Sequence, residues 1–236
     1  MKEKIKQRSY SAAGYVILCI VALLVFIPLV WLVVSSFKSD ADVIKYPPAF
    51  LPEQWVITQY AYVTDAIPIL SMLKNTVIFA GSVTLISLLL DSLAAYAFAR
   101  MEFKGKKILF TMILLTMMVP FQIIMIPLYI EEYKLGILDT LMGLVLPRAS
   151  GAYGIYMLTS FFSRIPKSLE EAARIDGLNN LQIYWKIVMP LSKPALISLG
   201  IYHFMNNWND LLYPMMLTSS VEKRTLSAGL AILVGS

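Results

Sequence analysis

The sequence contains a single cysteine, Cys19, and a single histidine, His203. One cysteine excludes a disulfide-stapled secreted domain, and one histidine beside it cannot assemble a zinc or haem ligand set. Charge is scarce too: Asp, Glu, Lys and Arg make up 15% of 236 residues, where a soluble domain carries about 25%. Hydrophobic residues reach 58% and the mean hydropathy is +0.69. A chain this apolar must bury its surface, which excludes disorder. No G-x-x-x-x-G-K-[ST] occurs, so the chain has no P-loop of its own for ATP. H-E-x-x-H and G-x-S-x-G are missing as well, and no catalytic or metal-ligating constellation is found. What remains is an all-α integral membrane protein, a polytopic helical bundle that is not itself an enzyme.

Ser9 to Phe37 and Ile108 to Ile130 are free of Asp, Glu, Lys and Arg. Roughly 20 apolar residues cross a bilayer as a helix, so both stretches are long enough. Three further segments pass if each tolerates one charge away from its middle: Asp91 within 75–99, Arg148 within 141–162 and Asp210 within 194–218. A lone charge costs about 2.5–3.5 kcal/mol at the bilayer centre, which a long apolar helix outweighs. Five spans are therefore expected, over about 12–37, 75–99, 108–130, 141–162 and 194–218, in a single transmembrane domain covering 1–236. Pro120 and Pro127 are expected to kink the third. His203, on the fifth, reads as a helix-packing residue with a hydrogen-bond partner.

With a cytoplasmic N-terminus, residues 1–8, 100–107 and 164–193 lie inside and hold 13 of the 20 Lys and Arg. The positive-inside rule supports that orientation. A signal peptide is the rival for the N-terminus, but its apolar core runs about 7–15 residues and this one is about twice as long. With five spans the chain would end outside, at Leu226–Ser236, 11 residues too short to cross. Either this tail folds back at the membrane edge or a last helix is missing.

The cytoplasmic loop 164–193 is the most informative stretch. Ser168 and Glu171 are spaced as a capping box, Leu169, Ala172, Ala173 and Ile175 offer a small apolar face, and Gly177 is placed to end the helix. Asn179 or Asn180 would cap a second helix with Leu181, Tyr184, Trp185 and Val188 as its apolar positions, and Pro190 would break it. A lone loop has no core in which to bury Leu181, Tyr184 and Trp185. They would lie on lipid headgroups or dock in the groove of a second protein.

Glu171-Ala172-Ala173-Arg174-Ile175-Asp176-Gly177, followed by Ile187-Val188-Met189-Pro190, resembles the EAA loop of ABC importer permeases, with Met189 for the usual Leu. Ser36-Phe37-Lys38, Leu93 to Arg100, Pro127-Leu128-Tyr129, Leu135 to Thr140 and Asn207-Trp208-Asn209-Asp210 resemble the carbohydrate-uptake branch. The whole is similar to the smaller, second permease subunit of maltose-type transporters, with the type I permease fold. The family usually has six spans, and here the likeness stops before the sixth.

The resemblance implies half of a translocation pathway in a bacterial or archaeal plasma membrane. The partners it implies are a homologous permease, two ATP-binding subunits and an extracytoplasmic solute-binding protein. ATP and Mg would sit on the ATPases, leaving no cofactor on this chain. Glu171, Ala172, Ala173, Asp176, Gly177, Ile187 and Pro190 would form the ATPase-coupling loop. Asn206, Asn207, Trp208, Asn209 and Asp210 are candidates for lining the sugar pathway, or else for interhelical hydrogen bonding. An ion-coupled carrier using Asp91 and Asp210, or a truncated, non-transporting permease, would share the five spans.

Overall fold

The computed structural model describes residues 2–235, with side chains from 14 to 233. Among the described residues the secondary structure is helical throughout. The chain divides into two compact units, residues 1–65 and 66–236.

The first unit is built on α1 (Lys2–Ser35). Its Gly14–Ser35 portion has a mean hydropathy of 3.2, and none of the stretch is buried within the chain. An apolar helix exposed all round is a helix solvated by lipid. Ser39 then accepts a bond from the Asp42 amide to cap α2 (Asp40–Val43), and α3 is Thr58–Ala66. The Ser36-Phe37-Lys38 segment has a plain structural job in this unit. Lys38 is buried, lies 4.2 Å over the Trp31 ring and donates to the Ala49 carbonyl at 2.7 Å. Phe37 packs between Trp55 and Tyr60.

The second unit is organised around α4 (Ile69–Arg100), 32 residues and about 48 Å long. Its buried positions, Met72, Thr76, Phe79, Ala80, Val83, Thr84, Ser87, Asp91, Ser92, Ala95 and Tyr96, recur every three or four residues as one helical stripe. Half of that stripe is small or hydroxylated. Thr76 and Thr84 return their hydroxyls to carbonyls one turn back, so at these positions neighbouring helices pack closely with the hydroxyl already paired. Leu85, Leu89 and Leu90 on the other face are exposed.

The expected spans 108–130, 141–162 and 194–218 are interrupted. The first is two helices, α5 (Lys106–Thr116) and α6 (Phe121–Leu135), bent by 98°. Tight three-residue bonds from Met117, Met118 and Val119 close α5, and Pro120, lacking an N–H, starts α6 in an extended conformation. Pro127 lies inside α6. The second becomes α7 (Leu141–Val145), one tight turn at Leu146–Arg148, and α8 (Ala152–Phe162). A later pair of breaks shapes the C-terminal part.

The loop 164–193 forms α9 (Lys167–Ile175), α10 (Asn180–Ile183), a wide turn over Tyr184–Val188 and α11 (Met189–Leu191). Then come α12 (Lys193–Trp208), α13 (Leu212–Leu217) and α14 (Leu226–Gly235). The chain does not break at Pro190. The wide turn ahead of it relieves the clash a proline ring makes with the preceding turn, and the 80° bend falls at Ser192 between α11 and α12. Two helices, Gly14–Ser35 and Ile69–Arg100, are long and apolar enough to cross a membrane unbroken, and up to four spans result if each bent pair is one.

Two apolar clusters lie at different levels of α4. Phe79 and Val83 meet Leu144, Val145, Tyr213 and Leu217. Ala95 and Tyr96 meet Leu158, Phe162, Ile165, Ala173, Ile183, Tyr184 and Val188. The second cluster corrects an expectation: the loop 164–193 does have a core, lent by α4, α8 and α12. Tyr184 is fully buried, bonds the Ser92 hydroxyl at 2.7 Å and packs on Tyr96. Leu181 and Trp185 stay exposed.

Candidate functional site

Between the two clusters, at the level of Ser87 and Asp91, the unit carries a polar node. Asp91 is fully buried and accepts from the Ser150 hydroxyl at 2.7 Å and the Gly151 amide at 2.9 Å. Its other oxygen lies 3.1 Å from Nε2 of His203. Ser87 donates to the Arg148 carbonyl at 3.0 Å. These bonds land on the gap between α7 and α8, where helix bonding is interrupted. Freed backbone groups at membrane depth must be paired, and α4 supplies the partners. His203 therefore has the hydrogen-bond partner expected of it, and Asp91 is that partner.

A second interruption, Asn209–Leu211 between α12 and α13, lies beside the first. Asp210 accepts from the Tyr213 amide, in the first turn of α13, at 3.2 Å. The Arg148 guanidinium joins the two breaks. It pairs with Asp210 at 2.5 Å, donates to Asn207 Oδ1 at 3.0 Å and lies 4.1 Å over the Tyr213 ring. Asn207 in turn donates to the His203 carbonyl at 2.7 Å. Asp91, Arg148 and Asp210 each have an opposite charge or a hydrogen-bond partner, the usual condition for buried charge.

The pathway candidates divide accordingly. Asn207 is buried and serves the network, while Trp208 stacks on Phe204 and lines neither cavity described here. Asn206, Asn209 and Asp210 line an open groove of about 570 Å³ with Tyr202, Met205 and Leu212. Asn206 also borders a cavity of about 410 Å³ with Arg148, Tyr153, Tyr202, His203 and Phe121. Tyr153 and Tyr202 face each other with ring centroids 4.5 Å apart. Neither tyrosine was singled out by sequence, because an aromatic at helical spacing is indistinguishable from packing.

The coupling candidates also divide. Glu171, Ala172, Asp176, Gly177 and Pro190 are exposed, Ile187 is half-buried and Ala173 is buried. The capping expectation at Ser168 fails: α9 begins at Lys167 behind an extended Pro166 and has no side-chain cap. Proline sets the extended entry by itself, which leaves Ser168 and Glu171 free of that task. Of the supposed apolar face, Ala173 alone is buried, and Ile175 is 87% exposed. Gly177 does end the helix, at φ +82°, with Leu178 N donating to Ala173 O and Gly177 N to Arg174 O, a Schellman close. Asn179 and Gln182 then form a reciprocal capping box for α10. Glu170, rather than Glu171, faces inward. Nε of Arg100 lies 2.9 Å from it, and both side chains are almost wholly buried.

At the opposite end of the unit, the loop between α13 and α14 is held from two sides. Asn75 donates to the Glu222 and Arg224 carbonyls, and the Leu226 amide donates to Thr76. Asp139, at φ +56°, accepts from the Ser219 and Ser220 amides and the Ser220 hydroxyl. Partial burial opposes the Asp139 charge, but the Ser220 and Ser219 donors and Lys223 outweigh it and hold the carboxyl below its ordinary 3.8. The clamp is thus present above that value and is lost as pH falls through the lower folded one. Asp139→Ala should raise amide exchange at Ser219 and Ser220 by roughly tenfold at neutral pH. Unchanged exchange in hydrogen–deuterium measurements would contradict the clamp.

The family model for the binding-protein-dependent transport system inner membrane component matches residues 87–234. Over 218 residues the chain is 33% identical to the putative ABC transporter permease protein ORF2 of Caldicellulosiruptor sp., covering 92% of this chain and 79% of that one. It is 29% identical to the diacetylchitobiose uptake system permease protein NgcG of Streptomyces coelicolor, over 97% of this chain and 76% of that one. The structure is similar to a chain in the crystal structure of a bacterial ABC transporter involved in the import of the acidic polysaccharide alginate. There the TM-score is 0.81 at 30% identity, covering 95% of this chain and 80% of that chain. The family match takes in Asp91, Arg148, Asp210 and the 164–193 loop together, and the chain belongs to the binding-protein-dependent transport system inner membrane component family: it is an inner-membrane permease subunit of an ABC importer, not an enzyme.

Proposed function

We propose that this subunit imports a carbohydrate and forms one half of the pathway beside a second, homologous permease. Two ATP-binding subunits would carry ATP and Mg on the cytoplasmic side, and an external solute-binding protein would deliver the sugar. The N-terminus is assigned to the cytoplasm, in keeping with 13 of 20 Lys and Arg on that side. The coupling assignment rests on α9 and α10, whose exposed Glu171, Ala172, Asp176 and Gly177 face outward from a loop anchored on the bundle.

One observation carries the choice of substrate class: the 410 Å³ cavity combines two exposed tyrosines and Asn206 with charges that are already paired. Arg148 is committed to Asp210 and Asn207, and Asp91 to Ser150, Gly151 and His203. The cavity thus offers neutral hydrogen-bonding groups and aromatic faces, which suit sugar hydroxyls and the apolar face of a sugar ring. Asn209 and Asp210 extend the same polar strip along the groove.

The test is uptake by vesicles carrying the assembled importer, supplied with labelled sugars through the binding protein. Uptake should require ATP inside and should persist when the proton and sodium gradients are collapsed. Asn206→Ala should lower the sugar uptake rate by about 3- to 30-fold, the loss of one or two hydrogen bonds in passage, with assembly intact. Gradient-driven uptake without ATP, or full activity in Asn206→Ala, would contradict this assignment.

A further inference from the structure

The two ends of the proposed machinery are the coupling unit and the polar node, and α4 touches both. Helix α9 buries only two side chains among its described residues, Glu170 and Ala173. Ala173 contributes a methyl group to the apolar cluster, a contact along which helices slide. Glu170 is different. Its carboxylate sits 2.9 Å from Nε of Arg100, and the guanidinium also donates to the Ile165 carbonyl at 2.5 Å. Ile165 lies in the turn leading into α9, so Arg100 grips the helix and its approach together. The Arg100 and Glu170 side chains are 3% and 7% exposed, sheltered from the solvent screening that weakens surface pairs. The Nε–Oε1 contact is out of hydrogen-bond alignment, so charge attraction is its main component.

Arg100 is the last residue of α4, and Asp91 lies nine residues earlier on the same helix, about 13.5 Å along the axis. The intervening Ser92 to Ala99 contain no glycine or proline, so this part of α4 is a stiff rod. Asp91 holds the α7–α8 break through Ser150 and Gly151, and α12 through His203. Stability alone does not call for the ion pair, since well-packed apolar residues usually replace a buried pair without loss. A directional link does call for it.

We propose that Arg100 and Glu170 are a positioning pair, a strut that transmits displacement of α9 into α4 and through it to the Asp91 node at the pathway. This rests on the coupling role proposed for α9. Without the strut, the ATPases still cycle and α9 still moves, but α4 does not follow.

The experiment uses the complete importer in liposomes, with sugar taken up and ATP hydrolysed measured together. The double replacement R100M/E170L keeps the site packed and removes the link. Its uptake per ATP should fall by about tenfold or more, with binding-protein-stimulated hydrolysis within about twofold of the parent. The charge swap R100E/E170R should recover the ratio to within about threefold of the parent. A parental ratio in R100M/E170L, or a swap no better than the apolar pair, overturns the strut. Should the apolar pair fail to assemble, Arg100→Lys decides. It keeps the charge but replaces the rigid guanidinium fork with a shorter, rotatable ammonium, so an intermediate ratio is expected and a parental one overturns the proposal. A cross-linker at Ile175 in the parent reports whether α9 meets the ATPase. No capture there would remove the coupling role and the strut with it, whereas capture with an unchanged ratio removes the strut alone.

Discussion

Gly154→Ala is expected to destabilise the permease by about 3–5 kcal/mol, the range seen when one partner of a buried charged pair is lost. A Cβ built on Gly154 overlaps Oδ2 of Asp91 and stands 2.8 Å from its Cγ and 3.1 Å from Nε2 of His203. Nothing there yields cheaply. Asp91 is fully buried and fixed by Ser150, Gly151 and His203, so displacing its carboxylate strands a charge at membrane depth. Gly81→Ala on α4 is the internal control. Its Cβ meets nothing within 4 Å, and the change should be neutral or stabilise the helix by about 0.5–1 kcal/mol. Thermal unfolding of both purified variants in detergent compares them. A Gly154→Ala protein as stable as the parent would mean that α8 does not approach Asp91 this closely.

Gly177→Val should leave the chain inserted and abolish most coupled uptake. The reason is conformational rather than steric, because a Cβ at Gly177 meets nothing within 4 Å. At φ +82° an L-residue pays about 1–2 kcal/mol, and a β-branched one more. Asn tolerates the left-handed region best, so uptake per ATP should rank Gly, Asn, Ala, Val. The Val variant is expected to lose about tenfold or more, as the turn relaxes and α9 and α10 lose their relative setting. Equal uptake across the series, with normal assembly, would show that the turn geometry does not matter to coupling.

Hydropathy made α1 and α4 legible, because a continuous apolar helix requires nothing from the rest of the chain. It could not place the breaks in the other spans. A helix interrupted at membrane depth survives only if something distant pairs its freed backbone, and the partners here are 59 to 61 residues away in sequence. Pro120 and Pro127 were visible as expected kinks in the third span, but the break between α7 and α8 depends on Ser87 and Asp91, far away in sequence.

The proposed coupling loop was legible as motif and turn, since Gly177 and Asn179 act through neighbours in sequence. Its buried side was not. Glu170 and Glu171 are adjacent and chemically identical, and only their register relative to Ala173 separates them: Glu170 is one turn before it and shares its face. The missed tyrosines, Tyr153 and Tyr202, become informative only once α8 and α12 bring them together.

The claim on which the rest depends is that the exposed side of α9 meets the ATPase rather than lipid. A photo-crosslinking residue placed singly at Ile175, which is 87% exposed, and at Ala173, which is 4% exposed, in the assembled importer tests it most directly. The account predicts that Ile175 captures the ATP-binding subunit in high yield and that Ala173 captures none, reacting only within its own chain. Capture of lipid alone at Ile175, with the ATPase present in the complex, would contradict it.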